Sequence, residues 1–360
     1  MKNSYVSDCE GPISINDNAF EITSHFIPKG AKIFTVISRY DDVLADVLKK
    51  PGYKAGNTLK LILPFLKAYG LTDRKMREFS ARNLILIPDI KETLRYLGEI
   101  AHTFIVSTSY EHYIEALCQA IDFPYKNTYC TKVRLDNYDI PEEEKNKLKK
   151  LAEKISQMQI IEIPPEAGSI EELSEEHRHT VNLLDEIFWN EMGNMESARF
   201  LLDVNPVSGK EKAKAIEGLA EQVQLGLSEM VYIGDSITDV EAFKLIKEGQ
   251  GLPVSFNGNQ YAIRNAEIAV LSDNSIVTSV IADLFFRMGK QETLSLVQSW
   301  SYGRLKRSSA NRVLLGKLFT LYPQELPKVR RITDENRETL AKESSIFRKK
   351  VRGEAIGRLG

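Results

Sequence analysis

The chain is poor in the features that most quickly assign a protein to a class. It has three cysteines in 360 residues, Cys9, Cys118 and Cys130. An odd number without framework spacing argues against a disulfide scaffold or a cysteine-rich zinc site and fits a reducing compartment. No stretch approaches the roughly 18 uncharged apolar residues of a membrane span. The opening residues, MKNSYVSDCEG, carry one lysine and no apolar run, so no secretory signal is expected there and a cytoplasmic location is the default. Net charge is only −2, so the field of the whole molecule steers it toward neither nucleic acid nor membrane. His102, His112, His177 and His179 lack metal-ligand partners at useful spacing. No Gly-x-Gly-x-x-Gly turn follows the first predicted strand, which argues against a dinucleotide-binding oxidoreductase.

What charge there is, is unevenly distributed. Residues 287–360 hold 17 Lys and Arg against 7 Asp and Glu, which leaves the first 286 residues with a net charge of −12. The simpler reading is that the basic segment folds back onto its own acidic body, because opposite charges attract over short distances. The other is a contact surface for a protein partner through residues 287–360. Nucleic acid is not an expected partner.

A length of 360 residues suits a core domain with satellites. A short strand is predicted at Ser4–Ser7, ending in the turn Asp8-Cys9-Glu10-Gly11-Pro12. From Pro12 to Asn83 apolar residues recur at helical spacing, and Thr72 stands where an N-cap belongs. Ile90–Glu99 reads as an amphipathic helix, Thr103–Ser107 as a buried strand, and Glu111–Ile121 as a helix. Residues 130–205 read as a second insertion, with a Lys/Glu-rich helix over Pro141–Gln157. Then come a helix at Glu211–Val223, a strand at Met230–Gly234 ending in Asp235, and a helix at Asp239–Glu248. Strands at Gly251–Phe256 and Ile268–Leu271 follow, and from Ile276 onward the pattern is helical with no sheet signal. Alternating strands and helices predict a doubly wound parallel α/β sheet, which binds ligands at the carboxyl ends of its strands.

Three of those ends carry oxygen-bearing side chains: Asp8 with Glu10, Ser107, and Asp235 with Asp239. A carboxylate can act as nucleophile toward a phosphoryl group, giving an aspartyl-phosphate that water cleaves. Mg²⁺ prefers oxygen ligands, usually one or two carboxylates with waters and substrate phosphate. Asp8, Asp235, the carbonyl of Glu10 and, in support, Asp239 are the candidate metal residues. Ser107 is placed to hold a phosphate oxygen at a helix N-terminus. A lysine is needed to neutralise phosphate and nucleophile, and Lys210, Lys212 and Lys214 offer three candidates. Cys9, between two carboxylates, reads as a small filler whose thiolate is disfavoured by like charge. The cap run Arg39-Tyr40-Asp41-Asp42 reads as a solvated face or as a specificity element.

Asp8-Cys9-Glu10-Gly11 resembles motif I of the haloacid dehalogenase superfamily, and Phe104-Ile105-Val106-Ser107 resembles motif II. Lys212 and Gly234-Asp235-Ser236-Ile237-Thr238-Asp239 are similar to motifs III and IV; for the lysine, distance to Asp235 favours Lys212, with Lys210 second. Their order and spacing resemble the branch containing phosphoserine phosphatase, with a helical cap between motifs I and II. The resemblance covers residues 1–125 and 205–275. It implies a Rossmann-like core of residues 1–11, 84–129 and 206–275, a helical cap at 12–83, a second insertion at 130–205 and a helical C-terminal extension at 276–360.

The activity it implies is Mg²⁺-dependent hydrolysis of a small phosphorylated substrate, with Asp8 as nucleophile, Glu10 as general acid, and Ser107 and Lys212 on the phosphoryl group. These hydrolases place Asp, not Glu, two residues after the nucleophile. A displacement of about 1 Å at a reacting group can cost on the order of 10²-fold. The alternative is therefore a catalytically weak or inactive scaffold that binds a partner through its basic C-terminal segment.

Overall fold

A computed structural model of the chain describes residues 2–164 and 167–357. Met1, Pro165, Glu166 and residues 358–360, which fall within the core, second-insertion and C-terminal ranges expected above, lie outside the described residues. Seven strands form one sheet: β1 (Ser4–Ser7), β2 (His102–Tyr110), β3 (Thr128–Thr131), β4 (Met230–Gly234), β5 (Leu252–Phe256), β6 (Ile268–Leu271) and β7 (Lys328–Arg331). Their order is β3-β2-β1-β4-β5-β6-β7. All neighbouring pairs are parallel except β6 with β7.

The sheet is covered on both faces, as its apolar strands require. Side chains alternate along each strand. Tyr5, Ile105, Val231, Ile233 and Val254 face the core built with helices Ile90–Ile100, Glu111–Ile121 and Ile276–Gln298. Val6, Phe104, Val106, Met230 and Tyr232 face the other core, with Ile216, Leu219 and Phe243. The short interior strand β1 is thereby pinned between β2 and β4. Ser7 pairs with Ile105 on one side and Ile233 on the other, and the amide of Asp8 donates to the carbonyl of Ile233 at 2.8 Å. This register brings the ends of the three oxygen-bearing strands to one place.

Helices from residues 18–82 and 142–203 share a third apolar core. Ile33, Phe34 and Ile37 meet Leu61, Leu148 and Phe188 there. The two insertions therefore pack as one body. Within it, Thr72 caps its helix as its sequence position predicts, accepting from the amide of Lys75 at 3.2 Å.

Two strands depart from the sequence reading. β7 lies in the segment expected to be wholly helical; it joins the sheet edge antiparallel to β6, in register Val270↔Val329. Its sequence, Lys-Val-Arg-Arg, has one apolar side chain, enough for an edge strand whose outer side meets solvent. β3 was also missed. It is four residues long and spans the expected boundary between core and second insertion at 129/130, where no strand is expected. Among the described residues no helix is long and apolar enough to cross a membrane.

Candidate active site

Beyond the end of β1, Asp8 is 95% buried, its exposure being 5%. One carboxylate oxygen, Oδ1, accepts the amide of Cys9 at 2.7 Å. The other, Oδ2, lies 2.7 Å from Nζ of Lys212. Lys212 projects from the first turn of helix Lys210–Val223 and is fully buried. Its ammonium is also 2.7 Å from Oδ1 of Asp239. Burial alone would strip its proton, but the carboxylates of Asp239 and Asp8 outweigh that and hold it charged. Sequence reasoning ranked Lys212 above Lys210, and Lys212 is the lysine that reaches Asp8.

Asp239 is committed through both oxygens. Oδ1 accepts from Lys212 and from the hydroxyl of Tyr232 at 2.6 Å. Oδ2 accepts the amides of Asp235 at 2.9 Å and Ser236 at 3.0 Å. Burial works against its charge, but Lys212 and these donors hold its carboxyl below the usual range. The four-residue spacing from Asp235 thus closes the turn after β4 and aims the lysine. Ligand oxygens of Asp8, Asp235 and Asp239 all lie within 4.8 Å of one another. An all-oxygen, carboxylate-rich set of this kind suits a hard divalent cation such as Mg²⁺. Asp8 and Asp235 both line the cavity, so they are the better placed of the three to hold one.

The cavity is about 100 Å³ and opens between the strand ends and the cap. Glu10 stands at its wall and accepts the amide of Asn18 at 2.9 Å through Oε1. Burial, then the neighbouring carboxylate of Asp17, pushes the Glu10 carboxyl well above its ordinary range. It is therefore a carboxylic acid that still holds a proton where most are ionised. Asp8 is pushed up to about 7 by burial, opposed by Lys212 and reinforced by Asp239 and Asp235. Cys9 is buried between these groups, and burial together with Glu10 and Asp8 drives its thiol well above its usual value. That is the filler its position suggested.

Ser107 lines the same cavity. Its hydroxyl donates to Ser109 Oγ at 3.1 Å and accepts the amide of Ser109 at 3.2 Å. The expectation of a helix N-terminus at Ser107 is corrected here: β2 continues to Tyr110 before helix Glu111–Ile121 begins. From the cap, Asp41 and Asp42 also reach the cavity wall, so this run is not a solvated face. Asp41 Oδ2 accepts from the amides of Gly56 and Thr58 and from the Thr58 hydroxyl at 2.8–3.0 Å. His112, by contrast, is buried against Asp73 at 2.8 Å and takes no part in the site.

Two residues of the site were not foreseen. Arg348 and Arg352, on helix Arg337–Arg352, both bond Oδ2 of Asp235, Arg352 at 3.0 Å. The basic surplus of the C-terminal segment was visible, and one reading of it was a return to the acidic body. Its contact point was not visible, since nothing in a basic amphipathic helix says which carboxylate it meets.

Residues 71–283 match the family of haloacid dehalogenase-like hydrolases. No curated protein matches the chain. The structure is similar to that of a gene product from Archaeoglobus fulgidus, with a TM-score of 0.80 and 24% identity over 100% of this chain and 99% of that one. At that identity the likeness shows a shared fold. More distant is an apo phosphoserine phosphatase, with a TM-score of 0.42 and 12% identity over 76% of this chain and 96% of that one.

Proposed function

The chain belongs to the haloacid dehalogenase-like hydrolase family, and on that premise we propose that it hydrolyses a phosphate monoester through an aspartyl-phosphate on Asp8. The observation that carries this reading is the buried cluster of Asp8, Asp235 and Asp239, with Lys212 paired to Asp8 and Asp239. Three carboxylates in one dry pocket are costly unless charge of the opposite sign is brought to them. Lys212 meets that need for Asp8 and Asp239, and Arg348 and Arg352 meet it for Asp235; a divalent cation would share in it.

Asp8 and Asp235 would hold the cation, with Mg²⁺ the candidate by donor type. When bound, it would offset the repulsion between nucleophile and anionic phosphoryl group. The remaining steps belong to the side chains. A carboxylate oxygen of Asp8 attacks phosphorus as the bond to the leaving oxygen breaks. Glu10, still protonated, delivers its proton to that oxygen. Water then attacks the acyl-phosphate and gives a proton back to Glu10; inorganic phosphate leaves and Asp8 is restored. Lys212 and the Ser107 hydroxyl supply positive charge and a donor to the non-bridging oxygens.

The test is hydrolysis of p-nitrophenyl phosphate by the whole chain, with Mg²⁺ and with chelator, beside Asp8→Asn. Release that needs Mg²⁺ and vanishes in Asp8→Asn supports the reading. Equal rates in the two proteins overturn it. No release from either, with purified protein that binds Mg²⁺, favours the weak or inactive scaffold that Glu10 first suggested.

A further inference from the structure

Helix Arg337–Arg352 is held to the body by ion pairs of Glu338 with Arg264 and of Glu343 with Lys328, and by apolar and polar contacts. A small apolar cluster joins its Leu340 and Ala341 to Ile263, Ala269 and Leu271. One turn further on, its polar face enters the active site. Ser344 donates to the carbonyl of Gly258 at 2.6 Å. Arg348 and Arg352, four residues apart and so on one face, are 3% and 7% exposed. Both converge on Oδ2 of Asp235. Arg352 is also fixed by the carbonyls of Ile15 at 2.9 Å and Asn16 at 2.6 Å, in the loop that follows Asp8. Arg348 is less well satisfied: its bonds run through Nη1, and its buried Nε has no partner.

Two guanidinium charges thus rest on one oxygen of the carboxylate that would hold a divalent cation. Asp235 cannot give its full charge to both. We propose that Arg348 and Arg352 are internal counter-cations of Asp235, so that docking of helix Arg337–Arg352 and binding of a divalent cation oppose each other. The inference rests on the reading of Asp235 as a cation ligand. It gives the C-terminal segment a role in setting the cation affinity of the site. Because coupling between two binding events is reciprocal, whatever loosens the helix tightens the cation, and the cation loosens the helix.

A competing role predicts the opposite sign. If the arginines merely orient Asp235 toward the cation, removing one weakens cation binding. The sign therefore decides between them.

The experiment uses the full chain and Mn²⁺ as probe, with free Mn²⁺ read by electron paramagnetic resonance. Removing one positive charge from beside the carboxylate, in Arg348→Met or Arg352→Met, is expected to tighten Mn²⁺ binding on the order of tenfold, and Arg348→Lys to restore most of the wild-type affinity. In the wild-type chain, Mn²⁺ is expected to speed hydrogen exchange at amides of residues 344–352. Unchanged or weaker affinity in the methionine variants overturns the proposal, as does unchanged or slower exchange in the wild type. Should those variants not fold, the wild-type exchange measurement decides alone. Asp235→Asn separates the premise from the inference: wild-type Mn²⁺ affinity in that variant removes Asp235 as a ligand and sinks the cation reading itself.

Discussion

Lys212 stands between Asp8 and Asp239, its ammonium nitrogen 2.7 Å from a carboxylate oxygen of each. It makes one buried cation serve both as structural counter-ion and as the charge beside Asp8, the proposed nucleophile. Replacing it with Met leaves two buried carboxylates without their partner, and breaking a buried pair in this way costs about 3–5 kcal/mol. Lys212→Met is therefore expected to lower stability by that amount in urea unfolding. Lys212→Met with Asp239→Asn should recover part of the loss, since one stranded charge is gone. Turnover should stay down by about 10²-fold or more in both, as for loss of a charged donor at a developing anion. A double variant no more stable than the single one would show that Asp239 does not depend on this lysine.

The two carboxyl groups on the cavity wall set a pH profile. Asp8, pushed up to about 7 by burial against the opposing pull of Lys212, must be ionised to act as the proposed nucleophile. Activity at limiting Mg²⁺ should therefore rise as pH increases through about 7. A cation favours the ionised form of a neighbouring carboxyl, so raising Mg²⁺ should move this limb to lower pH. Glu10, driven well above its ordinary range by burial and by Asp17, must be protonated to donate, so activity should fall again at higher pH. A kcat/KM profile at two Mg²⁺ concentrations checks both limbs. An acid limb that ignores Mg²⁺ would remove Asp8 as its source.

Much of this site was legible because its parts lie at strand ends. Asp8 and Asp235 each follow a buried strand directly, Ser107 follows the apolar run Phe104-Ile105-Val106 within β2, and a parallel sheet brings such positions together whatever lies between them in sequence. Lys212 was legible through proximity in sequence to Asp235, although Lys210 competed for the role until burial separated them. β3 and β7 were hidden for a different reason. Each is four residues long, too short for alternation to show, and β7 owes its place to the open edge of β6. Arg348 and Arg352 were hidden because their partner, Asp235, is 113 and 117 residues away and sequence periodicity carries no such distance. Arg39-Tyr40-Asp41-Asp42 shows how a charged run misleads. Asp41 and Asp42 are 2% and 3% exposed: Gly56 and Thr58 close over Asp41, and the second insertion meets Tyr40 through Asp185 and Trp189.

Glu10 is one methylene longer than aspartate, and its Oε1 is held by the amide of Asn18 at the start of helix Asn18–Phe26. If Glu10 is the proton donor, its importance depends on the leaving group. Glu10→Gln keeps the shape and removes the proton. It should slow hydrolysis of an alkyl phosphate by about 10²–10⁴-fold and that of p-nitrophenyl phosphate far less, because a stabilised phenolate departs without protonation. Equal losses on both substrates would assign Glu10 to placing Asn18 and the cap instead.

Gly11 governs how closely the loop after β1 approaches Asp235. Its φ is +101°, and a Cβ there would lie 2.2 Å from Oδ2 of Asp235, the oxygen that already holds Arg348 and Arg352. Gly11→Ala therefore carries two costs, the backbone conformation and the displaced carboxylate. Gly52, with φ +74° and nothing within 4 Å of an added Cβ, carries only the first, about 1–2 kcal/mol for a left-handed residue. Unfolding of the two alanine variants should differ by about 1–3 kcal/mol, the scale of a disturbed buried polar network. Gly11→Ala alone should change Mn²⁺ affinity, because only there does the methyl group push a candidate ligand. Equal destabilisation and unaltered Mn²⁺ binding in both variants would mean that the loop yields and Asp235 stays where it is.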